Sequence, residues 1–116
     1  MLINGQQLEF PNPIKEAIAI GAVLVVLTDR SAYKTNENVW GVNAQGCILW
    51  QVPQVQGVKF EGQTCTGIDQ PYTAIHRVDD HTVRLFNRDG DAYDLDVRTG
   101  QFTKNIIAFR KGKRPW

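Results

Sequence analysis

The chain has 116 residues, 42% of them hydrophobic, and 13 Lys and Arg stand against 12 Asp and Glu for a net charge of +1. That length makes one domain, residues 1–116, able to bury a core without disulfides or a metal. Arg110, Lys111, Lys113 and Arg114 leave the rest of the chain at −3, and neither value suggests a nucleic-acid-binding body.

Taken in order, Leu2 to Leu8 is a hairpin around Asn4-Gly5, a dipeptide suited to a two-residue turn. No basic region precedes an apolar core here, so no secretory signal is expected. Pro11 and Pro13 then stop a regular ladder. Ile14–Ile20 and Val23–Thr28 read as two strands around Gly21-Ala22. A helix over this stretch is opposed by Gly21 and by the Val23, Val25 and Val26 cluster. The longest apolar run, residues 17–27, is shorter than the roughly 20 residues of a membrane helix, so the expectation is a cytoplasmic protein. Val23–Leu27 is apolar on both faces, as a central strand would be. Ser31–Asn38 reads as a polar loop. Val39–Val42 and Cys47–Val52 follow as strands around Asn43-Ala44-Gln45-Gly46, with Trp40 expected opposite Trp50 and Val42 opposite Ile48.

The sharpest expectation concerns Thr82–Asn87 and Asp91–Val97. A slip of one residue turns every side chain to the other face, so alternation selects the register. Only a three-residue loop, Arg88-Asp89-Gly90 with Gly90 left-handed, pairs Val83 with Leu95 and Leu85 with Tyr93 while setting Arg84 against Asp94. Asp96 to Gly100 then turns the chain so that Phe102 lies beside Leu95. Between the two groups of strands, residues 53–70 are too long for an ordinary connection. Val58-Lys59-Phe60 and Thr64-Cys65-Thr66 can form a small hairpin there, in a segment that is either a crossover or a recognition loop.

The two groups repeat one another. At an offset of 58, Pro13 matches Pro71, Ile14 matches Tyr72, Ile20 matches Val78, Val25 matches Val83, Leu27 matches Leu85 and Arg30 matches Arg88. At 53, Trp40 matches Tyr93, Val42 matches Leu95 and Asn43 matches Asp96. At 54, Gly46 matches Gly100 and Ile48 matches Phe102, with Lys104 standing where Trp50 stands. The expected fold is therefore all-β: two four-stranded antiparallel meanders, about residues 11–52 and 71–104, packed as one domain that is propeller-like, a sandwich or a partial barrel. "DAYDLDVRTGQF" and "NVWGVNAQGCILWQV" resemble the blade motif of propellers of the pyrroloquinoline-quinone-enzyme type. The chain is also similar to small two-repeat bacterial proteins of uncharacterised function. This resemblance implies blade-like meanders and no quinone, since two units cannot surround a central site.

Chemistry-bearing residues are few. His76, Asp79, Asp80 and His81 could hold a metal, but the aspartates equally suit a turn. Asn87, Asp89 and Asp91 have calcium-loop spacing without the required glycine and final glutamate. Ser31 and Cys47 lack a nucleophile elbow. Cys47 and Cys65 form no CxxC pair and read as buried or neutral thiols. Trp40, Trp50 and Tyr93 read as core, and the 110–116 tail as a solvated chain end.

These readings point to a non-catalytic protein-interaction module, an inhibitor or toxin-neutralising (immunity-type) protein, needing no cofactor. Its candidate contacts are Lys59, Phe60 and Glu61 in the long connection and Arg110, Lys111 and Trp116 in the tail. The alternatives are a self-associating homo-oligomer and a metal-dependent enzyme using His76 and His81. Neither nucleic acid nor membrane is an expected partner.

Overall fold

The β-branched and alternating runs become strands, and the polar and glycine-containing stretches become the turns between them. The structure, a computed structural model, describes residues 2–3, 6–7, 9–10, 13–29, 38–55, 57–60, 63–64, 71–87 and 91–106, with the backbone alone at 2, 3, 6, 7, 60, 63, 64 and 105. The strands are β1 (Leu2–Ile3), β2 (Gln6–Gln7), β3 (Ile14–Ile20), β4 (Val23–Thr28), β5 (Val39–Val42), β6 (Ile48–Gln51), β7 (Lys59–Phe60), β8 (Gln63–Thr64), β9 (Tyr72–Arg77), β10 (Thr82–Asn87), β11 (Ala92–Asp96) and β12 (Gln101–Asn105). No helix occurs among the described residues.

Two four-stranded antiparallel meanders dominate, in the orders β3-β4-β5-β6 and β9-β10-β11-β12. Two small hairpins accompany them. β1 and β2 pair across Asn4-Gly5, and β7 and β8 pair across Glu61-Gly62, so that Gln63 belongs to a strand and not to the turn. Those four turn residues lie outside the described residues, as do Arg88, Asp89 and Gly90. The register around that last turn is the one expected: Val83↔Leu95, Arg84↔Asp94 and Leu85↔Tyr93, with Phe102 opposite Leu95.

Two expectations need correction. Trp40 pairs with Gln51, and Gly41 with Trp50. The cause is a bulge in which Leu49 is the extra residue, and it turns the two indoles to opposite faces of the sheet. Second, the repeat gains one residue at the first turn. Gly21-Ala22 joins Ile20 to Val23, whereas Asp79-Asp80-His81 is closed by the Val78 N–H bonded to the Thr82 carbonyl, 2.9 Å away. Val83 therefore matches Leu24 and Leu85 matches Val26, while the matches Ile14–Tyr72, Trp40–Tyr93, Val42–Leu95 and Trp50–Lys104 stand. This alignment also superposes both bulges of each sheet, at Lys15 and Thr73 and at Leu49 and Thr103.

The corrected match reveals how the sheets pack. Ile18, Val25, Leu27, Val39 and Trp50 of the first sheet share one core with Ile75, Val83, Leu85, Tyr93 and Leu95 of the second. These are opposite faces of the repeated unit, so the packing is head to tail, a heterologous contact and not a two-fold one. The bulge residues meet at the seam, where Lys15 Nζ donates to the Thr73 carbonyl at 3.0 Å.

Trp50 closes this interface. Its indole lies over Gly41, where a Cβ would overlap the ring, and against Gly100, where a Cβ would come within 2.6 Å of it. Trp50 Nε1 donates to the Val97 carbonyl at 2.7 Å, which satisfies the buried indole N–H. Asn38 adds a second tie, because its amide donates to the carbonyls of Thr28 (3.0 Å) and Tyr72 (2.8 Å) and accepts from the Tyr72 N–H (3.1 Å).

Candidate functional site

Head-to-tail packing leaves each sheet one outward face. On the first sheet this face carries Leu24, Val26, Trp40 and Val42, and Phe10 covers it, with its ring 5.1 Å from that of Trp40. Trp40 and Tyr93 are accordingly core residues, as Trp50 is. The outward face of the second sheet is the counterpart of the first sheet's packed face. It bears polar groups at the matched places: Arg84 for Val25, Asp94 for Gly41, Lys104 for Trp50 and His76 for Ile18.

Strand alternation on β10 and β11 puts Arg84, Phe86, Ala92, Asp94 and Asp96 on this face. Arg84 grips Asp94 with two hydrogen bonds, Nε to Oδ1 at 2.7 Å and Nη2 to Oδ2 at 3.1 Å. The Asp94 side chain is 8% exposed and the Arg84 side chain 34%. The bond to Asp94 raises the Arg84 pKa further above its already high value. His76 lies across the ladder from Arg84, its ring edge-on to Phe86 at 5.1 Å.

Toward the turns the polarity continues. Arg98 donates through Nη2 to Asp96 Oδ2 at 2.7 Å and through Nε to Oδ1 at 3.0 Å, while its backbone N–H adds a third bond. The guanidinium bond holds the Asp96 carboxyl at a pKa of about 2, with help from the backbone donor and against partial burial. In the neighbouring turn, Asp79 Oδ1 accepts the His81 backbone N–H at 3.0 Å, and that bond is the first cause of its lowered pKa. His81 Nδ1 lies 3.0 Å from Asp80 Oδ1.

The ligating atoms of Asp79, Asp80 and His81 fall within 4.8 Å of one another, so this turn could hold a cation. Its own hydrogen bonds already explain the arrangement, and His76 is not among the converging groups. Asn87 Oδ1 accepts the Asp91 N–H at 3.1 Å, closing a turn. Of the two readings, a buried or a neutral thiol, burial does not hold for Cys47: it is free and exposed, because it ends the Asn43 turn where the chain enters an edge strand. Of the partner-contact candidates, Lys59 is exposed on β7 and Phe60 ends that strand. Glu61, Arg110, Lys111 and Trp116 lie outside the described residues, as does Cys65.

A two-sheet chain with one covered and one polar outward face is thus the unit to be compared with known proteins. Residues 1–107 match the model of a family described as a domain of unknown function, DUF7957. The chain belongs to that family. The DUF7957 match takes in both meanders, both small hairpins and the polar face. No curated protein and no solved structure matches the chain.

Sequence reasoning identified the Arg84–Asp94 pair but not its place on an outward face. The missing step was the longer turn at Asp79-Asp80-His81, which shifts the repeat match by one residue. The Asp96–Arg98 pair was also missed, although an Asp two residues before an Arg in a Gly-closed turn is the signal that finds it.

Proposed function

We propose that this DUF7957 chain is a non-catalytic protein-interaction module, acting as an inhibitor or toxin-neutralising protein does, by occupying a surface of another protein. The observation that carries this reading is the outward face of the second sheet. Its backbone and bulges match the face that packs in the first sheet, yet it holds Arg84, Asp94, His76 and Lys104 where the first sheet holds Val25, Gly41, Ile18 and Trp50. A rigid sheet with ordered charge pairs suits recognition, because its contact groups lose little freedom on binding. We read the two sheets as blades of the propeller type, on the head-to-tail packing and the indole lock. A reducing, cytoplasmic setting accords with the exposed free thiol of Cys47.

Self-association is the second reading, since heterologous packing can in principle propagate from copy to copy. Two features oppose it. A next copy would bring the apolar face of its first sheet, with Leu24, Val26 and Val42, against the Arg84–Asp94 pair and Lys104 and would bury those charges without offering them a polar partner, and that apolar face is itself covered by Phe10.

A native mass spectrum of the chain purified gently from its host tests these readings. A complex of the 13.1 kDa chain with one different protein is expected. Whole multiples of the chain mass would favour self-association, and a lone monomer would count against the module.

A further inference from the structure

The two ion pairs on the outward face of the second sheet share an asymmetry. In each, the acid is the more buried side chain and the arginine the more exposed: Asp94 is 8% exposed against 34% for Arg84, and Asp96 is 15% exposed against 63% for Arg98. Both acids are spent on their arginines through paired bonds. Lys104, exposed and opposite Asp94, adds a third outward cation. A molecule approaching these three positions therefore meets cations, although the formal charges nearly balance.

Resting on the interaction-module reading, we propose that this face binds a carboxylate-bearing extended segment of a partner protein through Arg84, Arg98 and Lys104. The spacing suits such a segment. Asp94 and Asp96, which hold the two guanidinium groups, are two residues apart on one strand, about 7 Å. Acidic residues at alternate positions of an extended chain have the same separation, so both can face the sheet together. Phe86, half-buried beside His76, offers an apolar contact at the far end of the face. A nucleic acid suits the face less well, because a phosphate chain is charged at every unit and cannot avoid Asp79 and Asp80, which are exposed at the turn end and repel any anion there, whereas a peptide can carry an uncharged residue at that point.

The test uses the full-length chain labelled for nuclear magnetic resonance. The probes are the hexapeptide Glu-Thr-Glu-Thr-Glu-Thr and, in a separate arm, a ten-nucleotide thymidine oligonucleotide. Saturable shifts of the Arg84 and Arg98 side-chain resonances and of the Lys104 amide are expected with the peptide. The dissociation constant read at those positions should weaken about fivefold or more in the Arg98→Glu/Lys104→Glu double variant, the size expected for two exposed charge contacts. Both sites are exposed, and an unchanged circular dichroism spectrum verifies that the variant is folded.

Peptide shifts confined to residues 110–114, or a constant unchanged in the double variant, would overturn the proposal. So would equally tight oligonucleotide binding at Arg84 and Arg98. The double variant also separates this inference from the reading beneath it. If the host-purified complex forms as well with the variant as with the wild-type chain, the face assignment falls and the module stands. If the wild-type chain forms no complex, the module reading falls and takes this assignment with it.

Discussion

The two sheets have the same ladder, strand order and bulge positions, yet one face of that common scaffold has opposite fates in them. In the first sheet Gly41 leaves room for the Trp50 indole, which reaches across to Gly100 and Val97 of the second. In the second sheet Asp94 and Lys104 occupy the matched places, and Arg84 closes over Asp94. Backbone pairing tolerates both arrangements because it depends on alternation and turn length, which the two units nearly share. Whether a face becomes interior depends on what its side chains can bury. A glycine and an indole make a docking surface, while an ion pair with an exposed lysine makes an end.

The contrast is sharpest at Trp50. Trp50→Ala should lower the unfolding free energy by about 3–5 kcal/mol, by emptying the space between two glycines and leaving the Val97 carbonyl without its donor. Lys104→Ala, at the matched position, should change it by less than about 0.5 kcal/mol. Urea denaturation of the two variants measures both, and equal effects would dissolve the distinction between a docking face and a terminal one.

Asn38→Ala comes next. It removes two donors and one acceptor from buried backbone groups of both units and should cost about 1–3 kcal/mol in the same assay. A neutral result would mean that the tie between the sheets is carried elsewhere. Asp94→Ala should cost less, about 1.5 kcal/mol, because the released Arg84 is already one-third exposed and can be hydrated.

The smallest effect is a pH dependence. Asp96 has a folded-state pKa of about 2, below its ordinary value of 3.8, so its contribution is complete above the ordinary value and is lost as pH falls toward 2. Thermal unfolding of Asp96→Asn should therefore lie below wild type at neutral pH, with the gap closing between pH 4 and pH 2. A gap that persisted at pH 2 would assign its origin to shape and not to charge.

Much of this fold was legible in the residues. Glycine and Asx turns, β-branched runs and alternation located the strands, and the β10–β11 register followed because both faces had to be satisfied at once. The Trp40–Trp50 pairing was misread because a bulge has no fixed sequence signature: Leu49 looks like any strand residue, and only the need to place an indole over Gly41 reveals it as the extra one. Asn38 read as part of a polar loop because its partners, Thr28 and Tyr72, lie 10 and 34 residues away. The candidate site was half legible for a related reason. Arg84–Asp94 is a local cross-strand pair, but its role as the end of a packed array depends on which face the other sheet covers.

Local chemistry, then, was enough to specify two antiparallel four-stranded units and the turns that build them, since propensity, turn geometry and alternation act over a few residues. Which face of each unit is buried, what Trp50 locks and which charges face outward followed from the contact between the units. That contact joins residues 34 to 58 positions apart, and no short stretch of chain records which faces it covers.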